Sequence, residues 1–165
     1  MITAESVNKA DEEMDGLTEE QLDPAIERLL DANPVLKEFL VGFSRGDQRI
    51  LELVLVMSFF VFKAYEVEYR GKPPGLKRED FESIFDEANA WMDHFESTGV
   101  PDPRAEAEPV LLTFIIENLN NPRWDGTRYT PREQRLGLAI INIVILALNR
   151  AARRRSADRS DQAKK

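Results

Sequence analysis

Apolar residues recur at intervals of three and four along most of this chain, and turn-forming residues interrupt them repeatedly. The interruptions are Gly16, Asn33-Pro34, Gly46-Asp47, Gly71 to Gly75, Gly99 to Pro103 and Asn120 to Thr130. Nearly every stretch between them has helical spacing. Two helix starts are written as capping boxes, Thr18-Glu19-Glu20-Gln21 and Thr130-Pro131-Arg132-Glu133, with Pro131 at the favoured first helical position. Asp23-Pro24 and Asn33-Pro34 also read as a cap followed by proline, so residues 18–45 are expected to form two or three short helices.

The segment 78–97 is the clearest amphipathic helix, with Phe81, Ile84, Phe85, Ala88, Trp91, Met92 and Phe95 on one face. A second runs over 104–120, with Val110, Leu111, Phe114, Ile115 and Leu119 as its buried stripe and Pro109 near its true start. Two other segments are apolar almost all round: Ile50 to Phe62, continuing to Arg70, and Leu136 to Leu148. A helix apolar on every side must be covered on every side, which makes these the central pair. Tyr65 to Arg70 alternates like a strand but also extends the stripe Ser58, Val61, Phe62, Tyr65 and Tyr69, so it reads as helix. The expected fold is therefore all-α. It is a single-domain bundle of about six or seven helices, with nearly all-apolar central helices over about 47–70 and 131–153. Residues 1–150 make the domain, and 151–165 form a basic tail, either a helix extension or disordered.

Composition narrows the function classes. The 165 residues suit one domain, and 42% apolar with 32% charged residues is a globular balance. The absence of cysteine excludes thiolate chemistry and disulfides, and a single histidine excludes a His-rich metal cage. No apolar run reaches about 18 uninterrupted residues and no secretory leader is legible, so the expectation is a cytoplasmic chain without a transmembrane segment. The net charge of −8 argues against nucleic acid as a partner. That charge is uneven: residues 1–40 carry 11 acids and 3 bases, whereas residues 150–165 carry 2 acids and 7 bases. An acidic head and a basic tail can screen each other within one molecule or between two.

Candidate chemistry is sparse. Glu79, Glu82, Asp86 and Asp93 share one face at a spacing loosely similar to that of helical Mg²⁺-dependent nucleotide hydrolases. They point away from the apolar stripe, which favours a solvated acidic face. His94 beside Trp91 and Phe95 reads as a boundary histidine with no dyad partner. No phosphate loop, nucleophile elbow or zincin helix is present, and no cofactor, metal or catalytic residue is expected.

Interaction candidates are better marked. Glu52, Lys63, Glu66 and Arg70 form a stripe with an expected Glu66–Arg70 pair. Arg135, Asn142 and Asn149 recur every seven residues on the last helix, the device that fixes register between packed helices. The loop around Arg123, Trp124, Arg128 and Tyr129 concentrates residue types enriched at binding hot spots. The leading expectation is a protein–protein interaction or regulatory module, with a homodimer contacting through the last helix as its simplest form. The second is a Mg²⁺-dependent hydrolase, and the third an adaptor whose basic tail meets nucleic acid or a membrane surface.

Overall fold

A computed structural model describes residues 1–82, 84–99, 108–122 and 126–162, with side chains described as far as Ser156. The described residues form eight α-helices and no strand. They are α1 (Ala4–Asp15), α2 (Glu19–Ala32), α3 (Pro34–Ser44), α4 (Gln48–Glu68), α5 (Arg78–Glu82), α6 (Phe85–Thr98), α7 (Pro109–Asn120) and α8 (Pro131–Gln162). The caps work as the sequence reads. Thr130 and Glu133 satisfy each other's backbone amides at 2.7 and 3.2 Å, and the Gln21 side chain accepts from the Thr18 amide at 3.0 Å. Asp47 accepts from the amides of Arg49 and Ile50 and so starts α4.

The two expected central helices are α4 and α8, and they run parallel. Arg49 bonds Glu133, the Tyr65 hydroxyl donates to Asn149 at 2.6 Å, and a Cβ on Gly137 would lie 2.7 Å from Leu53. All three pairs share an offset of 84 residues, so one register holds along the seam. Gly137 is what lets the two backbones approach there. Against this pair α1 and α6 run antiparallel. Thr3 meets Glu68 and Glu13 meets Lys63 along α1 and α4. Glu87 meets Arg150 and Glu96 meets Arg135 along α6 and α8. Every residue from Ile140 to Leu148 is buried, so the chain itself covers the whole girth of α8 there. By length and composition Pro131–Ser156 is apolar enough to cross a membrane, while 67% of its most apolar window is buried inside this fold.

Four local expectations need correction. Pro24 does not begin a helix; it lies inside α2, where Thr18 already supplies the cap. Glu20 and Pro24 are both exposed, so the carbonyl that the missing N–H leaves unpaired lies on the solvent side of the helix. The helix expected over 78–97 is two pieces, α5 and α6. Buried Asp80 turns inward to accept from the Lys77 amide and to meet Arg154, and Ile84 bonds back to Phe81 in a tight turn. The stripe Phe81, Ile84, Ala88 and Trp91 stays buried across the break, whereas Phe85, at the first position of α6, is 38% exposed instead of buried. On α7 the stripe is Leu111, Leu112, Ile115 and Leu119, and Val110 faces outward. Finally, α4 stops at Glu68 and Arg70 adopts a left-handed conformation, so Glu66 pairs with Lys63 at 3.0 Å and not with Arg70.

The basic tail continues α8. Among the described residues, arginines of this segment are screened by acids of α5 and α6. Arg150 pairs with Glu87, Arg154 with Asp80 and Glu79, and the guanidinium groups of Arg154 and Arg155 also donate to the carbonyls of Gly75 and Lys72.

Candidate functional site

Three grooves join into one face across α3, α6 and α8. The first, about 410 Å³, lies between α3 and α5 over Phe39, Phe43 and Phe81. The second, about 1010 Å³, shares Phe43 and Arg45 with the first and adds Met92, Leu136 and Ala139 as floor. The third, about 340 Å³, shares Met92, Glu96 and Arg135 with the second and ends against Ile116, Leu119 and Asn120 of α7. On the rim Phe43 and Phe85 are each 38% exposed and stack at 5.8 Å, and Phe43 also packs on Phe39 at 4.6 Å.

The sequence of α3 explains why this surface is apolar. Leu36, Phe39 and Leu40 fill its core face, while Phe43, at the end of the same stripe, and Val41, off it, stay exposed. Counting apolar residues on α3 against the width of one helical face could have found Val41, but not Phe43, which has the spacing of a core residue. Phe85 was hidden by the unforeseen break before α6.

Charges around the grooves are balanced. Glu38, Asp47, Asp93 and Glu96 stand with Arg45, Arg78, Arg132 and Arg135. Two of these pairs are closed: Arg135 to Glu96 at 2.6 Å and Arg78 to Glu38 at 2.9 Å. All are exposed, so these pairs orient the rim more than they stabilise the fold. Arg45 holds a left-handed backbone at φ 51°, followed by Gly46 at φ 76°, in the tight turn that brings α3 into α4.

The interaction candidates read from the sequence are scattered by the fold. Arg135 stands on the groove rim, 70% exposed. Arg128 is exposed and donates to the Asn120 carbonyl, at the α7 end of the third groove. Tyr129 is half-buried against the core, and its carbonyl accepts from Gln134. Arg123 and Trp124 lie outside the described residues. Asn142 is fully buried, and neither its amide nitrogen nor its oxygen has a partner among the described residues. The row of Arg135, Asn142 and Asn149 is therefore not an exposed seam: α4 and α6 pack against α8 and close over its middle.

Asn149 belongs to a separate polar cluster at the far end of α8. It accepts from Tyr65 and hydrogen-bonds Glu108, whose carboxylate also takes the Ile2 amide at 2.5 Å. Glu108 is 2% exposed and left-handed at φ 47°. Burial pushes its carboxyl above the ordinary range, against the pull of the Ile2 amide and the nearby amino group. Burial likewise pushes the Tyr65 hydroxyl far upward. These groups tie the N-terminal segment to α7 and α8, which the sequence did not foreshadow.

Glu79, Glu82, Asp86 and Asp93 are all exposed, and no three acids or histidines converge on a metal-sized site among the described residues. His94 sits at the boundary with its Nε2 buried and without a partner among the described residues, while Ser97 and Thr98 donate to its carbonyl. The site is thus a grooved helical surface. Comparison with protein-family models, with curated proteins and with solved structures finds no match to this chain.

Proposed function

We propose that this chain is a helical protein–protein interaction module that binds its partner across the α3–α6–α8 face. The observation that carries this reading is the composition of the face. Its floor is phenylalanine, methionine and leucine, and its basic rim is four arginines with no lysine. Aromatics, Met and Arg are enriched at binding surfaces and Lys is depleted. Arginine also keeps its packing value at a rim, because its planar head stacks on rings and grips carboxylates in pairs. Among the described residues no three acids converge as the catalytic reading would want, and three of the arginines that the adaptor reading needs are bonded inside the chain.

The test is affinity capture with immobilised wild-type chain and with a Phe43→Asp/Phe85→Asp variant, followed by mass spectrometry. Val110→Asp, on the groove between α1 and α7, is the control. A protein held by the wild type and the control but lost with the double variant is the expected result. Equal capture by all three overturns the assignment of this face.

A further inference from the structure

We infer that the partner on this face is a second copy of the same chain, packed about a two-fold axis; this rests on the interaction reading above and names its partner. The argument is charge. The grooves carry four acids and four bases, so the face is neutral, while the rest of the chain holds the full net charge of −8. Two copies that meet about a two-fold axis through a patch of either sign, the acidic head or the basic tail, bring like charge together. Through this face they do not.

The balance also discriminates among partners. A strongly acidic partner would meet Asp93 and Glu96 as well as the arginines, and a strongly basic one would meet Arg45 and Arg132. Either leaves half the rim facing like charge, which costs specificity. A two-fold contact sets residue i of one copy on residue j of the other and j on i, so a rim that carries both signs in equal number can set each acid on a base of the other copy. The apolar floor of Phe43, Met92, Leu136 and Ala139 supplies the attraction that the balanced rim permits.

The experiment is sedimentation equilibrium from low to several hundred micromolar on the full chain. The expected mass rises from 18.9 kDa towards twice that value. An acid-faced variant (Arg45→Glu with Arg132→Glu) and a base-faced variant (Asp93→Arg with Asn89→Arg) each stay at the monomer mass, and an equal mixture of the two forms the dimer. Both leave the Arg135–Glu96 and Arg78–Glu38 pairs in place, and helical circular dichroism shows that each has folded. Wild-type chain that stays monomeric over the whole range overturns the inference, as does an acid-faced variant that dimerises as the wild type does. If wild type is monomeric while capture still depends on Phe43, the self-pairing falls and the interaction reading stands. If neither is seen, both fall.

Discussion

The seam between α4 and α8 and the face across α3 and α6 are built from the same side chains, with opposite outcomes. In the seam, nine consecutive residues from Ile140 to Leu148 are buried, and even Asn142 is shut in without a partner among the described residues. On the face, Phe43 and Phe85 stay more than a third exposed although each belongs to an apolar stripe. Apolar periodicity states which side of a helix avoids water. How many neighbours arrive to cover that side is decided elsewhere in the chain. Here α1, α6 and α7 all close around the central pair, and among the described residues Val41 and Phe43 of α3 stay exposed.

The sharpest way to break this contrast is to place a charge in each region. Ile143→Asp, in the seam, is expected to prevent folding, because an unpaired carboxylate would be forced into the centre. Phe43→Asp is expected to leave the fold helical and its stability within about 1 kcal/mol. Circular dichroism with urea titration reads both. A folded Ile143→Asp chain would show that α8 is not central.

Of intermediate size is the close approach at Gly137. Gly137→Leu drives a side chain into Leu53 and should cost about 1–3 kcal/mol in the same titration. No loss would mean that α4 and α8 are farther apart than the shared register implies.

Asn142→Leu should move stability the other way, raising it by about 1–3 kcal/mol, since it removes two buried polar groups that have no partner among the described residues. A loss of stability would show that the amide is satisfied by bound water.

The smallest effects are pH-dependent, and opposite in sign at two glutamates. Burial raises the Glu108 carboxyl above its unfolded value, so its ionised form opposes folding and that group's contribution worsens as pH climbs through its raised value. Glu108→Gln should therefore gain stability over wild type at neutral pH, and the gain should vanish in acid. Glu133 is held low by the Arg49 guanidinium and the Thr130 cap, so its contribution is present at neutral pH and lost as pH falls through its lowered value. Glu133→Gln should lose stability at neutral pH and converge with wild type in acid. Thermal melts across the carboxylate range check both, and parallel profiles would refute the opposition.

The sequence by itself determined the helical class, the cap of α8, and the identity of the two central helices. Each of these follows from local chemistry: a hydroxyl and a carboxylate three residues apart, or a segment with no polar side to leave in water. It did not disclose the break at Ile84, beside which Asp80 meets Arg154, a residue 74 positions away that local spacing cannot bring in. Nor did it disclose that a row of three polar residues on α8 would be divided among a rim, a core and the Tyr65–Glu108 cluster. Spacing on one helix fixes only relative angle; what stands opposite each angle is set by the packing of the other helices. The open face arose in the same way. Phe43 looks like any core phenylalanine by its spacing, and only the packing of the described helices, which leaves it 38% exposed, makes it a surface.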